Sequence, residues 1–187
     1  MNRIHRWLCA SNSWRKTLRN DLMPWALDGV ELGGDVLEIG PGPGLTTDFL
    51  RERFARLTSI EIDPGFAVSL RARMRGSNVE VVEGDATQMP FPDASFSAAV
   101  SFTMLHHVPT RELQDRLLAE ARRVLKPGGI FAGADSRASL RMKLIHIGDV
   151  LNVVPPETFG SRLEAVGFKD VFVQTTPRRF RFQALRA

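Results

Sequence analysis

Glycines at alternate positions, Gly40, Gly42 and Gly44, follow directly on the apolar run Val36 to Ile39 and precede a helical pattern that starts near Leu45. Such a turn leaves the backbone uncovered where a strand passes into a helix, so a ligand can lie close against it. The spacing is GxGxG. A dinucleotide fingerprint would place its last glycine at Leu45, and no Lys followed by Ser or Thr comes after the glycines, which argues against a P-loop. Two carboxylates stand at matching places further on, Glu61 at the end of the second apolar run and Asp85 just past the third. A carboxylate at a strand end can accept hydrogen bonds from both hydroxyls of a ribose, and a second one suits an exocyclic amine such as that of adenine. Together they point to a nucleoside ligand with little phosphate.

These residues need a scaffold that brings strand ends together. Short apolar runs at Val36 to Ile39, Leu57 to Ile62, Val79 to Val82, Ala98 to Phe102 and Ile130 to Ala134 read as five strands. Helices are expected between them. Asp63 and Pro64 suit a helix start, and the helix from Arg111 to Leu125 carries Leu113, Leu117, Leu118, Ala121 and Val124 on one face before Pro127 ends it. Alternation of this kind predicts a parallel sheet with helices on both faces and a ligand at the strand carboxyl ends. The tail breaks the alternation. A helix from Pro156 to Val166 leads to two strands, Val171 to Gln174 and Phe180 to Leu185, close enough to form an antiparallel hairpin. Phe180 and Phe182 share one face of the last strand and Arg181 the other, a pattern of buried aromatics and solvated arginine rather than a nucleic-acid patch. At the other end, Ile4, Trp7, Leu8, Trp14, Leu18 and Leu22 recur at helical spacing, which predicts one amphipathic helix from Arg3 to about Leu22 that packs on the domain or caps the cleft.

Composition bounds the partners. In 187 residues, 43% hydrophobic and 25% charged, the chain has the make-up of one ordinary globular domain, and the division expected is a helical extension over 1–30 and a ligand-binding domain over 31–187. The single cysteine, Cys9, excludes an internal disulfide and sits in no zinc-type spacing; no clustered metal ligands are expected and no metal. No apolar run is long enough to span a bilayer, so a cytoplasmic protein is expected. The net charge of +4 is spread along the chain, and nucleic acid is not the expected partner.

Five segments, taken together, resemble the class I S-adenosylmethionine-dependent methyltransferases, most closely their small-molecule branch. They are VLEIGPGPGLTT at Val36 to Thr47, IEID at the end of strand two, EGDATQMPFPDASFSAAV, LHHV at Leu105 to Val108, and RVLKPGG at Arg123 to Gly129. The resemblance covers about Asp35 to Asp135. It implies a Rossmann-like α/β fold with a mostly parallel seven-stranded sheet, helices on both faces and a C-terminal antiparallel hairpin. It also implies S-adenosylmethionine as cofactor and S-adenosylhomocysteine as product. By the same resemblance Glu38, Gly40, Gly42 and Gly44 border the methionine part, Glu61 takes the ribose, Ile62 packs on the adenine, and Asp85 and the Ala86 N–H address the adenine edge. The carbonyl of Ser101 or Phe102 would receive the ammonium.

Methyl transfer requires an acceptor held in line with the C–S bond rather than a nucleophilic side chain. An acceptor that starts as a hydroxyl or ammonium must lose a proton, and His106 is the candidate base; shaping the pocket floor is the competing role. Asp135, after strand five, either orients the acceptor or caps a helix. His146 lies in Leu140 to Val154, an apolar stretch that would serve as core packing or as a lid favouring a hydrophobic small-molecule acceptor. Two other functions stay open: methylation of RNA or protein, and a module that binds the cofactor without transferring methyl groups. Against the first, strand four ends in SFTM rather than the proline-containing, aromatic-ended tetrapeptide of nucleic-acid amino methylases.

Overall fold

The computed structural model describes residues 2–187. Seven strands, β1 (Asp35–Ile39), β2 (Arg56–Glu61), β3 (Val79–Glu83), β4 (Phe96–Phe102), β5 (Leu125–Ser136), β6 (Lys169–Thr175) and β7 (Arg179–Leu185), form one sheet in the order 3-2-1-4-5-7-6. The pairs β2–β3, β1–β2, β1–β4 and β4–β5 are parallel, whereas β7 pairs antiparallel with both β5 and β6. Strand order reverses between β1 and β4, which places a crevice at their carboxyl ends.

Residue alternation along the strands sends side chains into two separate layers. Val36 on β1, Ala98, Val100 and Phe102 on β4, and Ala132 and Ala134 on β5 meet one set of helices, among them α4 (Leu45–Leu50) with Phe49 and Leu50. Leu37 and Ile39, Ala99, Phe131 and the β7 pair Phe180 and Phe182 face the other. That second layer is closed by α6 (Arg111–Val124), whose Leu117, Leu118, Ala121 and Val124 are buried, and by α8 (Pro156–Ala165) through Phe159 and Leu163. Thr110 starts α6 by accepting the Leu113 N–H at 3.2 Å, and Asp63 starts α5 (Pro64–Arg73) by accepting the Phe66 N–H at 3.0 Å.

Three elements differ from the sequence expectation. The single amino-terminal helix is instead α1 (Arg3–Cys9), α2 (Asn12–Thr17), a π-helical turn at Leu18–Leu22 and α3 (Met23–Ala26). The break falls at Ser11, whose hydroxyl accepts the Trp14 N–H at 3.1 Å and starts a new helix, a local bond that outcompetes continuation. Beyond it, Leu18, Leu22, Met23 and Ala26 are buried in the same layer as β1 and β4. Second, β5 begins at Leu125 rather than Ile130: Leu125 pairs with Phe96, and the register on β4 shifts between Phe96 and Ala98 to take up Lys126 to Gly129 as a bulge. Third, the stretch Leu140 to Val154 is neither wholly core nor wholly cover. It holds a short helix, α7 (Leu140–Ile145), capped by Ser139; His146 and Val154 are buried while Leu140, Leu144, Ile147 and Val150 stay exposed. Among the described residues no helix is long and apolar enough to cross a membrane.

Candidate active site

A cavity of about 440 Å³ opens at the carboxyl ends of β1 to β4, within the range of roughly 300–1,000 Å³ typical of small-molecule sites. Its walls come from Gly40 to Pro43 after β1, Glu61 to Asp63 after β2, Gly84 to Thr87 after β3, and Phe102 to Met104 after β4. Cys9, Trp14 and Leu18 of the amino-terminal helices close one side, and His107 to Pro109, Asp149 and Val150 line another.

The glycine turn has φ of +67°, +54° and +82° at Gly40, Gly42 and Gly44, a backbone path that side chains other than glycine rarely follow. At Gly44 a Cβ would also collide with Leu70 and with Arg73. Arg73 has a reason to be so near: its guanidinium donates to the carbonyls of Pro43 and Gly44, both at 3.0 Å, and pairs with Asp48 of α4. Arg15 of α2 reaches the same Asp48 at 3.1 Å. Nothing in the sequence pattern of Arg73 announced this role, because it depends on α5 lying beside the turn.

Glu61 braces the turn from the other side. Its Oε2 accepts the Gly42 N–H at 2.8 Å and its Oε1 the Asp63 N–H at 2.9 Å, so one carboxylate fixes the glycine loop and the start of α5 together. Burial pushes its pKa up, partly offset by these N–H donors. Asp85 is exposed on the wall after β3, with Oδ1 accepting the Thr87 N–H at 2.7 Å. Ile62 lies on the rim with 66% of its surface exposed, an unusual state for so apolar a side chain. Cys9 has its thiol pushed up to about 11, first by burial and then by nearby Asp149, so it stays protonated at neutral pH and offers no thiolate.

The model of a family described as a methyltransferase domain matches residues 37–133. The chain belongs to the class I S-adenosylmethionine-dependent methyltransferases. In an alignment 157 positions long that covers 76% of this chain and 53% of the relative, the chain is 33% identical to a Haloarcula marismortui protein named probable ribosomal RNA small subunit methyltransferase A. Over 107 residues it is 35% identical to a fatty-acid O-methyltransferase of Mycolicibacterium smegmatis, covering 56% of this chain and 38% of the relative. The chain thus spans about half or less of the length of these curated relatives. In fold it is similar to the crystal structure of a Pyrococcus horikoshii protein, with a TM-score of 0.77 at 20% identity over 95% of this chain and 93% of that one.

Of the residues singled out in the sequence, the fold brings Gly40, Gly42, Glu61, Ile62, Asp85, Ala86 and Phe102 to the cavity wall. Gly44 sits just behind, as the residue that opens α4. Four others do not line the cavity. Glu38 is fully enclosed: its Oε2 accepts the hydroxyls of Thr47 and Ser59, each at 2.7 Å, and its Oε1 that of Thr46. It ties β1 to β2 and to the first turn of α4, directly behind the glycines. Burial raises its pKa, with the three hydroxyls acting against that shift. Ser101 is buried one residue before the wall, and its hydroxyl has no hydrogen-bond partner among the described residues.

His106 and Asp135 are the remaining pair, and both are buried. His106 Nδ1 lies 2.5 Å from Asp135 Oδ1, while the carboxylate also accepts the His106 N–H at 3.1 Å and the Ser136 N–H at 2.6 Å. The ring that does line the cavity is that of His107, whose centroid is 4.3 Å from that of His106. His146 comes from the distant Leu140 to Val154 stretch to within 5.1 Å, centroid to centroid, of both. The sequence reading expected no clustered metal ligands; three imidazoles meet here because Asn152 donates its N–H to the His106 carbonyl at 2.8 Å and Gln114 holds the Asn152 carbonyl at 2.8 Å, folding the stretch back over the turn at Leu105–His107.

Proposed function

We propose that the methyltransferase acts on a hydrophobic small-molecule acceptor that enters beside Leu140 to Val154. The observation that bears most on this reading is the apolar character of that end: Val108, Pro109, Leu113, Leu117 and Val150 line the cavity, and Leu140, Leu144 and Ile147 stand exposed on the same stretch as Val150. Exposed apolar groups on a stretch that also contributes to a cavity wall suit contact with an apolar ligand better than with water.

The donor set fits S-adenosylmethionine. A carboxylate offers about four lone-pair sites, so Glu61, with one N–H on each oxygen, keeps capacity for both ribose hydroxyls. Ile62 offers the apolar surface an adenine ring covers, and Asp85 keeps Oδ2 for the adenine amine. Held by the glycine turn, Glu61, Ile62 and Asp85, the cofactor would supply an electrophilic sulfonium methyl group for transfer. The chain's part is then positional: it holds the two partners in line and keeps water out. Glu38, Arg73 and Glu61 keep the glycine turn rigid for that purpose. His106 and Asp135 act from behind the wall as positioning residues, and His107 is the ring facing the acceptor, placed to take its proton.

Incubation with methyl-labelled cofactor and a panel of long-chain fatty acids and alkyl phenols, beside ribosomal RNA, tests the reading. Label extracted with the organic acceptor is the expected result. Label found in RNA alone would favour the second reading, RNA methylation, which the likeness to a relative named for ribosomal RNA supports.

A further inference from the structure

We propose that His106, His107 and His146 form the binding site of one divalent transition-metal ion, of the zinc class, at the wall of the cavity. Three histidines meet there among the described residues, and one ligand atom from each lies within 4.8 Å of the other two. Nitrogens around a tetrahedral zinc at about 2.0–2.1 Å stand roughly 3.4 Å apart, so binding draws the most widely separated pair together by up to about 1.4 Å.

The chemistry of the rings suits ligation. The Met142 carbonyl can only accept, so the 2.8 Å contact with His146 Nδ1 makes that nitrogen the N–H and leaves the lone pair on Nε2. Asp135 already accepts two backbone N–H groups, and its short contact with His106 Nδ1 likewise puts the proton on Nδ1 and the lone pair on Nε2. A carboxylate or carbonyl behind the ring is the arrangement that orients metal-bound histidines and raises their basicity. Two of the three rings therefore carry their outer partners already. Imidazole nitrogen selects zinc, cobalt, nickel or copper over magnesium and calcium. A three-histidine set also leaves a fourth position on a tetrahedral ion, and with His107 on the cavity wall that position is open to water or to an acceptor oxygen.

A ring bound to metal has no lone pair left for a proton, so His107 serves as the acceptor's base only in the metal-free chain, and the site itself is tested without turnover. Tag-free protein stripped with a chelator is titrated with zinc by calorimetry and with cobalt by visible absorption, beside the variants His107→Gln, His146→Gln and Asp135→Asn. One zinc per chain and a four-coordinate cobalt spectrum are expected, unaffected by excess magnesium. Loss of a ligand in His107→Gln or His146→Gln weakens zinc at least about 100-fold, and Asp135→Asn weakens it by roughly 10- to 100-fold. S-adenosylhomocysteine binding by each variant confirms that it is folded. Wild type that binds the nucleoside but no stoichiometric zinc overturns the proposal, as does zinc binding unchanged in both histidine variants.

Discussion

Glu38 and Glu61 are both carboxylates near the glycine turn, and their surroundings give them different work. Glu38 accepts three buried hydroxyls and reaches no ligand space, so its removal is a stability event first. Glu38→Ala is expected to cost about 3 kcal/mol, since three donors lose a buried acceptor, and chemical denaturation measures it. Glu61 touches the cavity, and its raised pKa has two consequences of defined sign. Between the ordinary glutamate value and its folded value the folded chain holds more protons than the unfolded one, so this group's contribution to stability grows as pH falls through that window and shrinks as it rises. In its proposed role the effect on cofactor binding runs the other way: ribose hydroxyls would need the carboxylate, so affinity is expected to be full above the raised pKa and to decline on acidification, starting higher than an ordinary glutamate would allow. Titrations with S-adenosylhomocysteine from neutral to mildly acid pH should show that decline in wild type and a flatter profile in Glu61→Gln. Glu61 and Asp85 were legible because each stands at a strand end, where position alone implies the cleft. The inward turn of Glu38 was not, since it depends on hydroxyls from β2 and α4 arriving together.

At the scale of elements, close approach between neighbouring strands sets what the sheet tolerates. A Cβ at Gly133 on β5 would overlap the backbone carbonyl oxygen of Ser101 on β4, and no side-chain movement relieves a clash between two backbones. Gly133→Ala is expected to cost about 3–5 kcal/mol, seen as a lowered denaturation midpoint and damage to the wall at Phe102. The strand–turn–helix unit around Gly40 to Gly44 could be read from sequence because all its determinants are local. The break at Ser11 was harder: Trp14 occupies the place where a capping box would carry Glu or Gln, so the helical period ran through it unmarked. The stretch Leu140 to Val154 was harder still. Its apolar content fits a core or a cover equally, and only the Asn152 and Gln114 hydrogen bonds decide that His146 turns inward while Leu144 and Ile147 face outward.

For the molecule as a whole, the reversed strand order, the glycine turn and the amino-terminal helices together make a cleft with a polar, acid-lined end and an apolar end. In the proposed reading the acidic end takes the nucleoside and the apolar end the acceptor, so changes at the two ends should separate. Ile147→Asp and Leu144→Asp, on exposed positions, are expected to lower turnover of a long-chain acceptor about tenfold, the equivalent of roughly 1.4 kcal/mol, while cofactor affinity stays at the wild-type value. Raised salt should leave that turnover nearly unchanged, in contrast to RNA methylation, where phosphate contacts weaken steeply. The most direct test of the central claim is calorimetric titration of the purified protein with S-adenosylmethionine and S-adenosylhomocysteine beside Glu61→Ala and Asp85→Ala. Saturable one-to-one binding by wild type, lost or reduced at least tenfold in both folded variants, is the predicted result. Wild-type affinity retained in both variants would place the cofactor elsewhere and contradict the assignment of this cavity.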